Sequence, residues 1–307
     1  MSATADDTRP ADRTLVFAHV SDVHVLDLVG VSMSRFLNKR LSGLLNLASK
    51  RRNAHPVAIL EAIVDDVIAR PVDHVLLTGD LTNLALPTEF RRARAVLDPI
   101  ARPDRLSVVP GNHDIYTRGA ARDRRFESFF GDLMWTGADS AQTYPWYKRV
   151  GPVHLVGLCS AEPRLPLIAT GRVGDRQLQR LTALASTHDL HGEFTIAMVH
   201  HNLHARGLRK DLMHGMQDRA RVLDACAEAG VDLLLHGHTH VANRFRHGSM
   251  RVVGSGSSTW DAEHPDHRAR YNRYHVGPAG LERIEVCIWD GPDRGFVTSE
   301  LPEDPPS

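Results

Sequence analysis

Cysteine is scarce in this 307-residue chain: Cys159, Cys226 and Cys287 are odd in number, far apart and set in apolar runs. That argues against a disulfide framework, and buried free thiols in a reducing compartment are the expectation. No run approaches the ~18 apolar residues that a spanning helix needs. Met1–Arg13 is polar and acidic and lacks the apolar stretch of a secretory signal, so the expected location is the cytoplasm. Net charge is absent as well, because 37 Lys and Arg balance 37 Asp and Glu. The balance suggests neither a nucleic-acid binder nor an acidic tail, and argues against a nuclease. No internal repeat and no Gly- or Pro-rich linker interrupts the chain. Residues 14–301 therefore read as one domain, between a lead (1–13) and a tail (302–307) expected to be disordered.

What the chain has in excess is histidine, 19 in all, a mild prior for a metal site. Five short apolar runs each end in polar side chains. Val16–Val20 runs into Ser21-Asp22-Val23-His24, and Val75–Leu77 into Thr78-Gly79-Asp80. Leu106–Val109 breaks at Pro110-Gly111 and delivers Asn112-His113-Asp114. Ile196–Val199 runs into His200-His201, and Leu233–Leu235 into His236-Gly237-His238-Thr239-His240. Each reads as a buried strand with its chemistry at the carboxyl edge, where open α/β sheets place ligands.

Between these strands the periodicity predicts helices over 57–69, 88–97 (capped by Thr88), 174–185 and 217–229, and paired strands at 147–150 and 153–158. The first half is thus β-α-β-α-β, a layered sheet with helices outside it. From Asn243 onward, runs at 251–254, 273–276 and 281–289 read as antiparallel strands closing a second sheet. Residues 26–55 form an insertion in which leucines alternate with Arg35, Lys39, Arg40, Lys50, Arg51 and Arg52. It predicts a basic amphipathic helix: a packing helix, a lid over the site, or a contact for an anionic membrane surface or lipid headgroup at the inner membrane.

Asp22, His24, Asp80, Asn112, His200, His238 and His240 are hard-oxygen and imidazole donors, enough for two metal ions if Asp80 bridges them. With no thiolate among them, they suit catalytic Mn, Fe or Zn rather than a structural zinc site. Asp22 and His24, like His238 and His240, are two apart, so each pair can project to one side of an extended segment. Glycines beside Asp80, Asn112 and His238 permit tight turns. Two divalent ions less two carboxylates and a bridging hydroxide leave a positive cradle for a phosphate, with the hydroxide as nucleophile. His113 is placed to protonate a leaving alkoxide, and Asp114 to orient its ring. His201 and His204 read as flanking or substrate-side residues, His19 and His236 as core histidines.

Asp22-x-His24, Gly79-Asp80, Gly111-Asn112-His113-Asp114, His200 and Gly237-His238-x-His240, in this order on strand ends, resemble the calcineurin-like metallophosphoesterase superfamily over residues 15–253. The resemblance implies a four-layer α/β/β/α sandwich with two mixed sheets. It implies one metal on Asp22, His24, Asp80 and His240, and another on Asp80, Asn112, His200 and His238. Leu81-Thr82-Asn83-Leu84 departs from the serine/threonine phosphatase pattern, and Asn83 stands near where purple acid phosphatases have a ligand Tyr. The pattern is more similar to the class III cyclic-nucleotide phosphodiesterases and glycerophosphodiesterases. His200-His201-Asn202 replaces the usual His-x-Pro; His200 ends the strand directly and is the expected ligand, with His201 the alternative. The implied activity is a dinuclear phosphodiesterase. The alternatives are a pyrophosphatase for a lipid-linked nucleotide diphosphate of the UDP-diacylglucosamine type, or a scaffold that keeps the fold without the chemistry.

Overall fold

The computed structural model describes residues 13–31, 55–135 and 143–302. Most of the 26–55 insertion, nearly all of the 1–13 lead and the tail beyond Pro302 lie outside the described residues. Among the described residues, twelve strands form two six-stranded mixed sheets. The first has the order β12-β11-β10-β1-β2-β3, with β1 Leu15–Val20, β2 His74–Leu77 and β3 Leu106–Val108 parallel at its centre-to-edge half. β10 Arg270–Gly277, β11 Gly280–Trp289 and β12 Phe296–Glu300 continue it antiparallel from the other side of β1. The second sheet runs β4-β5-β6-β7-β9-β8: β4 Trp146–Val150, β5 Val153–Gly157, β6 Thr195–Met198, β7 Leu233–His236, β8 Asn243–His247 and β9 Met250–Gly254.

Two expectations from the sequence change here. The strands at 273–276 and 281–289 close the first sheet, not the second, because β10 lies antiparallel on β1. Arg251–Gly254 does join the second sheet, but parallel to β7, with the antiparallel partner being β8. Alternation within a run cannot say which distant strand it will meet.

The layers follow from period-two alternation on the strands of the second sheet. Leu155, Ile196, Met198, Leu233 and Leu235 belong to the core shared with the first sheet. Their neighbours Val156, Ala197, Val199 and Leu234 pack on the opposite face with α5 Asp175–His188 and α7 Arg219–Glu228. On the outside of the first sheet lie α1 Val57–Ala69 and α2 Pro87–Leu97. α1 buries Ile59, Leu60, Ile63, Val64 and Val67. Each contributes about 1.5–3 kcal/mol by that burial, which a 13-residue helix needs since it is marginal alone in water. It stops where Pro71 forces Arg70 into an extended backbone.

α2 starts one residue before Thr88, at Pro87. The Glu89 carboxylate, rather than Thr88, caps it by accepting from the N–H of Leu84 (2.9 Å) and Leu86 (3.0 Å). Thr88 Oγ1 donates instead to the carbonyl of Asp27. The short helices α3 Arg118–Arg122, α4 Arg125–Phe130 and α6 Leu208–His214 have no periodic signature long enough to read in sequence. Cys226 and Cys287 are buried free thiols and Cys159 is half-buried, as the apolar runs around them imply.

Candidate metal centre

All five polar strand ends meet at the carboxyl edges of the two sheets' parallel strands. His24 and His240 bring their Nε2 atoms to 3.0 Å from each other. His240 Nε2 stands 3.4 Å from Asp22 Oδ1, and His24 Nε2 stands 3.9 Å from Asp22 Oδ1 and 3.8 Å from Asp80 Oδ2. On the other side of Asp80, His200 Nε2 lies 3.3 Å from its Oδ2 and 3.2 Å from Asn112 Oδ1. Donor atoms of Asp80, His200 and His238 fall within 4.8 Å of one another. The seven expected residues are therefore one cluster, with Asp80 between its halves.

The backbone reaches this arrangement differently from the sequence expectation. Asp22 (φ 55°), His24 (φ 46°), His238 (φ 73°) and His240 (φ 56°) are left-handed, not extended, and so is Asp80 (φ 53°). For residues with a Cβ such a conformation costs on the order of 1–3 kcal/mol and persists only where surrounding bonds over-determine it. Those bonds are visible. Ser257 Oγ donates to the Asp22 carbonyl (2.8 Å), and Asp22 N–H donates to Gly79 O and His24 N–H to Asp80 O. The side-chain amide of Asn83 donates to the carbonyl of His24. Close approach explains two glycines: a Cβ on Gly111 would stand 2.1 Å from Asp80 Oδ1, and one on Gly237 would stand 1.8 Å from Ser21 Oγ.

Hydrogen bonds at the far side of the His200 and His238 rings set what faces inward. His200 Nδ1–H donates to Thr78 O (2.7 Å), leaving Nε2 towards two oxygens that also accept. His238 Nε2–H donates to His214 O (2.7 Å), which turns its Nδ1 inward. Rings oriented by a second nitrogen bonded to a carbonyl are what metal-ligating histidines need. With Nδ1 engaged, His200 Nε2 faces Asp80 Oδ2 and Asn112 Oδ1 at 3.2–3.3 Å, a set that needs a proton or a metal ion between its members. Two donors ~2.1 Å from a common ion at right angles are themselves about 3.0 Å apart. The donor set thus fits divalent ions.

Electrostatics says the same with protons. Burial alone would push Asp80 up, but the histidines around it, His200 first, hold its carboxyl well below the usual range. Burial would lower His200, yet Asp80 raises it to about 9. Burial lowers His24, and likewise lowers His238 to about 3, so these stay neutral and able to ligate.

His113 is half-buried beside the cluster. Its ring packs edge-on to His24 (4.9 Å) and stacks on Tyr116 (5.5 Å), and its Nδ1–H donates to the Asn83 carbonyl (2.7 Å). Asp114, expected to orient that ring, is turned to backbone instead. Its carboxylate accepts from the N–H groups of Leu81, Thr82 and Gly111 and from Thr82 Oγ1. The residue after His113 points the other way because it ties the Gly79–Thr82 turn to the Gly111 turn. Burial and the charge of Asp80 push its carboxyl up to about 7.

His201 sits behind the cluster, its Nδ1 at Ser160 Oγ (2.8 Å) and its ring against His238. His204 stands beside His236. His19 bonds Thr78 and Tyr274, and His236 bonds Asn243, as buried core histidines do. Sequence reasoning missed Asn83, Ser257 and Thr259, which hold the loops, and also His55, whose ring lies 4.7 Å from that of His24. None sits in a spaced motif, so nothing local marked them.

Comparison with known proteins agrees with this geometry. Residues 15–242 match the family model described as calcineurin-like phosphoesterase. The chain is 33% identical over 100 residues to the glycerophosphodiester phosphodiesterase GpdQ of Enterobacter lignolyticus, a match spanning 33% of this chain and 30% of that protein. It is 24% identical over 230 residues, 73% of this chain and 80% of the other, to a protein of Synechococcus sp. named as a probable cyclic nucleotide phosphodiesterase. In fold it is similar to a dimetal phosphatase from Danio rerio, with a TM-score of 0.60 and 17% identity over 94% of this chain and 99% of that one. A family match over residues 15–242, on two mixed sheets whose strand ends bring together a cluster of Asp, Asn and His, makes this chain a member of the calcineurin-like phosphoesterase family.

Proposed function

We propose that the protein is a dinuclear metal-dependent phosphodiesterase acting on a small diester of the cyclic-nucleotide or glycerophosphodiester kind. The observation that supports it most is the cluster itself, two carboxylates, one amide oxygen and four imidazoles shared around Asp80. Asp22, His24, Asp80 and His240 would hold one ion, and Asp80, Asn112, His200 and His238 the other. When bound, two Mn, Fe or Zn ions supply Lewis acidity, positive charge for a phosphoryl group and water of lowered pKa.

The chain's own groups do the rest. His113 is fixed at three points: its Nδ1–H on Asn83 O, its face on Tyr116, and its backbone N–H on Asp80 Oδ1 (2.8 Å). The last bond ties the proton donor to the shared carboxylate. With Nδ1 engaged, the imidazolium gives up its Nε2 proton to the departing alkoxide. As a water-derived oxygen bonds to phosphorus the P–O ester bond breaks, the alkoxide takes the proton and leaves as an alcohol, and His113 ends neutral. The substrate class rests on the names of the two relatives, both phosphodiesterases.

A second reading, hydrolysis of a lipid-linked nucleotide diphosphate, is favoured by one feature. Leu165, Leu167, Leu208 and Leu212 are all exposed. They lie on segments joined by the backbone bonds Ala169 N–H to Met213 O and Gly171 N–H to Gly215 O, next to the His214 carbonyl that orients His238.

The test is hydrolysis of bis-(p-nitrophenyl) phosphate against p-nitrophenyl phosphate by Mn-loaded protein, with metal content measured on the same sample. Faster cleavage of the diester, near two metals per chain and loss of both in Asp80→Asn is the expected result. Two metals with no cleavage of either compound, but turnover of a diphosphate in detergent micelles, selects the second reading. Absence of bound metal defeats both.

A further inference from the structure

We infer that the leucine-bearing face beside the metal centre, made by the 165–168 turn and α6, docks the protein on a lipid surface that carries anionic headgroups. The inference goes beyond the choice between the two substrates above and rests on neither.

Exposure comes first. Leu165, Leu167, Leu208 and Leu212 are 66, 76, 79 and 67% exposed, and they are the four exposed leucines among the described residues. Leucines scattered singly over a surface need no explanation, but gathered on neighbouring segments they mark a contact. Ala169 N–H donates to Met213 O (2.8 Å), which brings the segment of Leu167 alongside that of Leu212. Leu208 and Leu212, four apart, share one face of α6.

Nothing inside the protein accounts for them. α6 has seven residues and buries none of them, and a helix that short is not stable alone in water. Polar bonds hold it instead. Asp211 accepts from the N–H of Arg206 (3.1 Å) and pairs with Arg219 (3.5 Å), while the carbonyls of Met213 and Gly215 accept from the N–H groups of Ala169 and Gly171. Leu167 sits in left-handed backbone (φ 68°), in a turn closed by Ile168 N–H donating to Leu165 O (3.1 Å). Residues with a Cβ avoid that conformation, and here it presents a leucine to solvent.

Charge names the occupant. Segments 162–172 and 206–214 hold two acidic residues, Glu162 and Asp211, and these are paired with Arg164 and Arg219. Arg206, Arg209 and Lys210 have no carboxylate partner among the described residues, and Arg209 and Lys210 are exposed between Leu208 and Leu212. Leucines flanked by unpaired cations suit an interface where acyl chains lie beneath negative headgroups, each cation adding to the attraction. A second copy presenting the same face would set these cations against their own kind. The face also borders the metal centre, since His214 at the end of α6 gives its carbonyl to His238 (2.7 Å). Docking there brings the cluster to headgroups, where phosphate esters are concentrated.

The experiment mixes full-chain, Mn-loaded protein with vesicles of phosphatidylcholine, alone or with phosphatidylglycerol, and reads binding by flotation at low and high salt. Wild type is compared with Leu208→Gln/Leu212→Gln and Arg209→Glu/Lys210→Glu. The expected result is binding at least about 10-fold tighter to the anionic vesicles, weakened by salt, and a further loss of at least about 10-fold in each double variant. Tm and metal content should not change in the variants, because α6 buries no side chain. Equal binding to both vesicles overturns the preference for anionic headgroups. Binding that survives the leucine substitutions overturns the assignment of this face, whether or not charge reversal weakens it. Absence of flotation overturns the lipid surface altogether, and sedimentation velocity and retention on polyglutamate then tell a second copy from an acidic protein partner. Hydrolysis of bis-(p-nitrophenyl) phosphate by the same preparations keeps the readings apart: cleavage without flotation defeats only the docking, and flotation without cleavage defeats only the phosphodiesterase.

Discussion

Replacing Asp114 by Ala distinguishes two accounts of a residue that lies next to the proposed proton donor. Its carboxylate accepts from three buried backbone N–H groups, Leu81 (3.2 Å), Thr82 (2.9 Å) and Gly111 (2.9 Å), and from the Thr82 hydroxyl (3.0 Å). Each N–H left without an acceptor costs about 1–3 kcal/mol, and some of that is recovered if water enters the space vacated. A total of about 3–5 kcal/mol is expected. At roughly 2–3 °C per kcal/mol, Tm falls by about 6–15 °C. Asp114→Asn should lose nearly as much, since its amide turns N–H groups towards backbone N–H groups. The His113 ring keeps its own anchors on Asn83 and Tyr116, so the pH profile of kcat should hold its shape in whatever fraction stays folded. Differential scanning calorimetry and a pH–rate profile on the same preparations check both halves. An unchanged Tm combined with loss of the limb due to His113 would refute the reasoning and return Asp114 to the role the sequence suggested.

Three more expectations follow from the same geometry. His113→Gln should lower kcat about 10²–10⁴-fold with metal content unchanged, because the residue holds no ion in the proposed scheme; loss of metal on elemental analysis would mean otherwise. Gly237→Ala places a methyl 1.8 Å from Ser21 Oγ and 2.4 Å from Asp22 Oδ2, so it should destabilise the protein by at least about 1–3 kcal/mol and reduce metal occupancy, read by urea titration and elemental analysis. In metal-free protein, His200 is raised to about 9 by Asp80 against the cost of burial, so its contribution to stability is complete below its ordinary value of 6.5 and disappears as pH rises through 9. Asp80, held low, contributes above its ordinary value of 3.8 and loses that contribution as pH falls. Tm of the metal-free protein should therefore drop between pH 6.5 and 9 while the gain on adding metal widens, since an ion replaces the proton on His200; a gap that is flat with pH contradicts this pairing.

The sequence by itself determined the strand ends. Short apolar runs that end in Asp, Asn and His can carry them out of a sheet in only a few ways, and local chemistry suffices to read them. It also determined α1, whose periodic face, proline start and proline stop are all within one short segment. The three-dimensional structure decided what depends on distant partners. Whether 273–276 and 281–289 close one sheet or the other is set by β10 meeting β1, a pairing across more than 250 residues that alternation does not encode. Left-handed Asp22, His24, Asp80, His238 and His240 are stable only because loops from elsewhere, such as Ser257 and Asn83, hold them. Asp114 faces backbone rather than the adjacent ring because the turns at Gly79–Thr82 and Gly111 together supply three N–H donors that must be met. Thr259, 204 residues away, bonds His55 beside the His24 ring. In each case the deciding group is a neighbour in space and not in sequence, and a buried donor or acceptor takes whichever partner the fold brings within reach.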